Sequence, residues 1–136
     1  MSVARTWAVA FTGAEGALVE VEADQSNQLP GMQIIGLPDK SLGEAEQRVR
    51  GAAANSSLTL PRRRVTVNLS PASLPKHGSG FDVAIAVATL ATDGYLDLAS
   101  LARTVHIGEL GLDGRLRPVS GVLPAVVAAA RAGLTH

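Results

Sequence analysis

The stretch PRRRVTVNLSPASLPKHGSGFDVAIAVATL, residues 61–90, decides how this chain folds. After a basic triplet, Val65, Val67 and Leu69 alternate with Thr66 and Asn68, the period-two pattern of a half-buried strand. Residues 70–80 then bring two prolines, two glycines and three serines, a composition that breaks helix and ladder alike. Residues 81–90 are apolar on almost every side, which at helix length predicts burial between layers. Strand, long loop and buried helix place the loop at the rim of a sheet, where binding and catalytic groups concentrate.

A length of 136 residues suits one domain with its own core. There is no cysteine, which excludes disulfides and thiolate metal sites. Twelve basic and twelve acidic side chains cancel, so only local patches remain for charge-driven contacts. Hydrophobic residues make up 46% and aromatic ones 3%. The core must therefore be built from Ala, Val, Leu and Ile, and ring platforms for stacking single strands are scarce. Residues 1–11 lack the apolar core of a targeting signal, and no apolar run reaches membrane-spanning length. A cytoplasmic protein without a membrane partner is the expectation.

Upstream of the opening stretch, Arg5, Trp7, Val9 and Phe11 alternate with Ala4, Thr6, Ala8 and Ala10, and residues 13–16 turn the chain into a second strand over 18–24. There Val19, Val21 and Ala23 face inward and Glu20, Glu22 and Asp24 face water. A polar loop covers 25–31 and a third strand 32–37, closed by Pro38. Ser41 and Glu44 form a capping-box pattern. Leu42, Ala45, Val49, Ala52 and Ala53 mark the apolar stripe of a helix reaching about Ser56, with Lys40, Glu44, Gln47, Arg48 and Arg50 on its exposed side. Downstream, Asp93-Gly94 stops the buried helix, a connector runs over 95–102, and a strand is predicted over 104–110. Asp113-Gly114 is a hairpin signal that pairs residues 115–119 back antiparallel. The last helix spans 120–132, with Pro124 in its first turn and Gly133 just past its end. An α/β chain that stops on Leu134-Thr135-His136 reads as one domain of a longer protein.

No residue pattern commits the chain to catalysis, a cofactor or a metal. A phosphate-binding loop needs G-x-x-x-x-G-K-[ST], whereas Lys76 precedes Gly78 and Gly80. His77, His106 and His136 have no metal-ligand spacing, and His106 is expected on the solvent face of a strand. Ser79 near Lys76 and Asp82 allows a hydroxyl with a base beside it, against the plainer reading of turn chemistry. Arg62, Arg63 and Arg64 form the dense positive patch. Alternation lets at most two of them share a face, so a phosphate-contacting surface would recruit Arg48, Arg50 or Lys76 as well.

Leu29-Pro30-Gly31, Ile34-Ile35-Gly36-Leu37-Pro38-Asp39, Arg48-Val49-Arg50, residues 61–69, Leu74-Pro75-Lys76, Phe81-Asp82, Gly108-Glu109-Leu110 and Arg117-Pro118-Val119 stand in order along nearly the whole chain. Together they resemble the N-terminal domain of the YifB/ComM family, the magnesium-chelatase-like AAA+ ATPases. The resemblance implies an AAA+ module downstream, with ATP and Mg2+ as that module's cofactors, and a homo-oligomeric ring. It also implies DNA-related work of the helicase or branch-migration kind. Tetrapyrrole metallation, which the chelatase name carries, finds no ligand pattern here.

The domain also resembles the proteolytic domain of Lon and the C-terminal domain of RadA. That likeness implies an α/β (α+β sandwich) architecture, the ribosomal protein S5 domain 2-like fold, with strands packed against about three helices. Where Lon's motif reads PKDGPSAG, this chain has Pro75-Lys76-His77-Gly78-Ser79-Gly80-Phe81-Asp82, so Gly80 stands at the nucleophilic serine. In Ser120-Gly121-Val122-Leu123, Leu123 stands at the catalytic lysine. The only lysines are Lys40 and Lys76, and a Ser–Lys peptidase needs a lysine whose pKa is lowered beside the serine.

The expectation is thus a non-catalytic domain serving an AAA+ motor in assembly, docking or substrate guidance. Its partners would be its own AAA+ module, neighbouring subunits and DNA, contacted through residues 62–64 and the loop around Lys76. The rival expectations are a residual serine hydrolase using Ser79 with Lys76, and a stand-alone nucleic-acid-binding module.

Overall fold

A computed structural model of the chain describes residues 3–136; Met1 and Ser2, the start of the segment read above for a targeting signal, lie outside them. Strands β1 (Val3–Thr12) and β2 (Glu15–Ser26) form a hairpin in register from Val3 opposite Asp24 to Thr12 opposite Glu15. β4 (Arg64–Ser70) pairs antiparallel with the second half of β2, and β3 (Gly31–Ile35) pairs parallel with β4, giving the order β1-β2-β4-β3. Between β3 and β4 lie α1 (Lys40–Gly43) and α2 (Ala45–Asn55); after β4 come α3 (Asp82–Ala91) and α4 (Leu98–Leu101). The small hairpin β5 (Glu109–Leu110) and β6 (Leu116–Arg117) precedes α5 (Val122–Arg131). This is the expected α+β sandwich, with α2, α3 and α5 as its three full-length helices.

Alternation builds the core. Ala8 and Ala10, Val19, Val21 and Ala23, and Val65, Val67 and Leu69 bury one face of the sheet. Against it α3 sets Ala84, Ile85 and Ala88, and α2 sets Ala45, Val49 and Ala52. Small alanines on both surfaces let backbones approach closely, which is how a core with Phe81 as its one buried aromatic still closes. α5 packs on the other face at the closed end of the hairpin, where Gly16 lies against Val9, Pro124 and Ala128. Its end is a Schellman cap: Leu134 N–H donates to Ala129 O (3.0 Å) and Gly133 N–H to Ala130 O (3.0 Å), with Gly133 at φ 83°.

Four details differ from the sequence reading. Asp39, not Ser41, caps the first helix: held extended after Pro38, it accepts from Leu42 N–H at 2.7 Å, and the helix breaks at Glu44. The strand expected over 104–110 is two fragments. Val105 bridges Trp7 in parallel, then Gly108 N–H turns away to Gly80 O (3.2 Å), so regular pairing resumes only at Glu109. The 95–102 connector contains α4, whose first turn Asp97 caps through Ala99 N–H. Glu20, Glu22 and Asp24 are half-buried rather than open to water; Glu22 accepts from Arg5 Nε (2.9 Å) and Asn68 Nδ2 (3.1 Å).

Between β3 and α1 the chain passes directly over the end of β4. Gly36 has φ 109°, and a Cβ there would lie 2.2 Å from Leu69 O. Gly36→Ala should therefore lower stability in urea unfolding by about 3 kcal/mol or more. Gly43→Ala, a helical position with open space around it, should be neutral or stabilising by about 0.4–1 kcal/mol. Equal responses at the two positions would contradict the close approach.

Candidate functional site

The rim loop is zipped to the β3–α1 crossing. Asp39 N–H donates to Lys76 O (2.9 Å) and Lys76 N–H to Leu37 O (3.0 Å), while the Asp39 carboxylate accepts from Gly78 N–H (3.1 Å). Lys76 itself is fully buried. Its Nζ donates to Gly36 O (2.7 Å), Leu69 O (3.0 Å) and Pro71 O. Three acceptors match three N–H bonds, a count that only the charged ammonium meets, although burial pulls its pKa below the ordinary lysine value. The expected role of Lys76 as a surface contact is thereby corrected: the amine is spent inside the fold, because a buried charge needs every donor satisfied.

A second buried charge lies at the start of α3. Asp82 is fully buried and accepts from Arg48 Nε (2.6 Å), Arg48 Nη2 (3.0 Å) and Leu110 N–H (3.0 Å), while Arg48 Nη2 also donates to Ser41 O (2.8 Å). Burial raises the Asp82 pKa and the Arg48 hydrogen bonds oppose that rise; the same bonds to Asp82 raise the pKa of Arg48. Arg48 is therefore a tie from α2 to α1 and α3, with Asp82 carrying it on to β5, rather than part of an exposed face. Arg50 is partly exposed and paired with Glu46 at 2.9 Å. The signal for the tie was present: Asp82 is the one charge in an apolar helix, and a buried carboxylate requires a cation.

A cavity of about 500 Å3 opens at the rim, lined among others by Phe11, His77, Ser79, Gly80, His106 and Glu109. Ser79 Oγ donates to the Glu109 carboxylate, so its partner is neither Lys76 nor Asp82. His106 is half-buried, not on a solvent face, with Nε2 3.0 Å from Thr6 Oγ1. The single Thr6 hydroxyl proton goes to Leu101 O or Thr104 O, both at 3.0 Å, so His106 Nε2 carries the proton. Burial lowers its pKa below the ordinary histidine value. Leu123 lies outside this cavity and lines a separate groove between α5 and the hairpin tip. The two positions that match the Lon dyad, Gly80 and Leu123, thus do not share a cavity.

The arginine triplet divides as alternation requires. Arg62 and Arg64 line one open groove with Asn27, Gln28, Leu29 and Pro30, of about 740 Å3, and Arg63 lies outside it. Arg48, Arg50 and Lys76 do not line this groove. Among the described residues no three His, Asp or Glu side chains gather into a metal-binding cluster, so these residues do not fit a metal centre.

Two substitutions check these ties. Lys76→Met keeps the bulk but leaves three carbonyls unsatisfied, and should cost about 3 kcal/mol or more in urea unfolding; a neutral result would show the amine is dispensable. In Arg48→Met, only the Leu110 N–H is left to oppose desolvation of Asp82, and its folded pKa rises further above the unfolded value of about 3.9. A raised carboxylate pKa favours the fold below the unfolded value, and that benefit disappears as pH climbs through the folded value. The variant should lose about 3–5 kcal/mol near neutral pH and recover part of it toward acid pH. A deficit independent of pH would mean Asp82 is not left buried and charged.

The family pattern described as "Subunit ChlI of Mg-chelatase" matches residues 21–136. Competence protein ComM of Haemophilus influenzae is 44% identical over 129 residues, which cover 95% of this chain and 25% of that protein. The YifB protein of Salmonella typhimurium, itself uncharacterised, is 41% identical over 133 residues, 98% of this chain and 26% of its own length. A more distant likeness, 28% over 135 residues and 17% of the relative's length, is to the Lon protease of Mycolicibacterium smegmatis. The chain therefore spans about a quarter of the length of its ComM and YifB relatives. With its match to the family pattern running from within β2 to the last residue, the chain belongs to the ChlI family of magnesium-chelatase-like domains, alongside ComM and YifB.

Proposed function

We propose that this chain is a non-catalytic accessory domain of an ATP-driven AAA+ motor of the ComM and YifB kind, cytoplasmic and engaged in DNA-related work. It docks, assembles or guides substrate, and leaves chemistry to the rest of the protein. One observation carries the reading: the groups that make a hydrolase are engaged with other partners. Lys76 is held by three carbonyls, Asp82 by Arg48, and Ser79 by Glu109. A serine nucleophile needs a neighbour that takes its proton, and neither Lys76 nor Asp82 is the partner of Ser79. The kinship with ComM, a competence protein by name, supports the link to DNA. ATP and Mg2+ belong in this reading to the motor module, since this sequence has no Walker A pattern. The assembly is a homo-oligomeric ring in which the domain contacts its own motor and neighbouring subunits.

Arg62 and Arg64, in their open groove, with exposed Arg63 beside it, are the charges available for phosphate. The full-length protein should bind single-stranded and branched DNA with an affinity that falls steeply as salt rises. Replacing Arg62, Arg63 and Arg64 by Ala should weaken binding to all sequences alike. It should reduce the salt slope by about 0.7–0.9 for each phosphate that is no longer neutralised. An unchanged affinity and slope would remove DNA binding from these arginines. Stoichiometric labelling of Ser79 by a serine-reactive probe would instead restore the hydrolase.

A further inference from the structure

α5 spends chiefly Ala125 and Ala129 on the sheet. Val122, Leu123, Val126 and Val127 remain 49%, 74%, 50% and 38% exposed. Their spacing puts them along one side of the helix. Next to them a groove of about 620 Å3 runs between α5 and the hairpin tip, with Ala14, Leu18 and Ala128 on its walls and Glu15 and Arg131 as its charged residues. Elsewhere this chain writes a water-facing helix surface in charge: the outer side of α2 carries Glu44, Gln47 and Arg50. α5 has Arg131 as its one charged residue in ten. A contiguous aliphatic face of this kind marks a contact surface, and with one acid and one base beside it the face has no cationic cluster to offer a nucleic acid.

We infer that this face is the seat of the remaining part of the full-length polypeptide, which is the motor module if the function proposed above holds. ComM and YifB carry about three quarters of their length outside the region matched here. Leu134 is tied to Ala129 at the end of α5, and His136 O accepts from Val105 N–H at 2.9 Å on the sheet edge. Covalent attachment holds that remainder near α5 at an effective concentration set by its linker, up to the millimolar range. A second copy outside the same ring must reach the face from dilute solution. The covalently attached partner therefore wins the face, its own apolar side chains replacing water over Leu123, Val126 and Val127.

Thiol labelling of the full-length protein tests this, since the present region contains no cysteine. With any cysteines elsewhere replaced, Leu123→Cys and Val126→Cys are compared with Gln47→Cys, on the exposed side of α2, for reaction with a maleimide under native conditions. Both α5 thiols should react more slowly than the α2 thiol by about tenfold or more, and mild urea should abolish the difference. That ratio should not change on dilution. Equal rates would show the face open and overturn the inference; protection that fades on dilution would assign the face to a second copy and overturn it equally. ATP hydrolysis by the same protein tests the motor reading separately. Its absence would sink that reading, and the labelling ratio would still decide whether the attached polypeptide covers α5.

Discussion

The ammonium of Lys76 sits where three segments end, and the rim of the domain is arranged around it. With no carboxylate among its three acceptors, it is held by the dipoles of Gly36, Leu69 and Pro71 carbonyls. A buried cation so placed costs several kcal/mol unless each N–H is taken, so it dictates where those three carbonyls must be. Gly36 must adopt φ 109° and press against Leu69, because a side chain at that point would displace the crossing. The crossing in turn brings Leu37 and Asp39 against the backbone of Lys76, and Asp39 fixes both the start of α1 and the turn at Gly78. One charge thereby couples the ends of β3 and β4 to the loop between β4 and α3.

The Asp82–Arg48 pair does the same for the helical layer. A fork-to-fork contact from α2 neutralises the first residue of α3, and the remaining lone pair takes Leu110 N–H from β5. The ammonium and the ion pair together account for several polar residues of the motifs that relate this chain to its family. Gly36 to Asp39, Arg48, Lys76, Asp82 and Leu110 fasten loops to helices.

Surface for partners then lies at three places apart from those ties. The Arg62–Arg64 groove offers cations at the entry to β4, the cavity around Ser79, Glu109 and His106 offers a mixed wall at the rim, and α5 offers aliphatic area. Their chemistries differ: cationic at the first, mixed at the second and aliphatic at the last. A rigid alanine-rich core beneath them keeps the three at fixed separations.

Much of this was legible in the sequence. Strict alternation in β2 and β4 allows one inward face per strand, so the buried rows at Val19, Val21, Val65, Val67 and Leu69 followed from period alone, whereas β1 buries Ala8, Val9 and Ala10 in succession. Length and all-round apolarity assigned α3, Asp113-Gly114 assigned the β5–β6 hairpin, and Gly133 the end of α5. Tertiary structure decided the fate of the polar groups. Lys76 in a Pro- and Gly-rich loop reads as exposed, and Arg48 on a helix rich in Glu and Gln reads as solvated. Whether either is buried depends on acceptors 5 to 40 residues away in sequence. Local pattern reports which face of an element is apolar; it carries no information on which distant carbonyl or carboxylate will close over a charge, because that pairing exists only once the layers have packed.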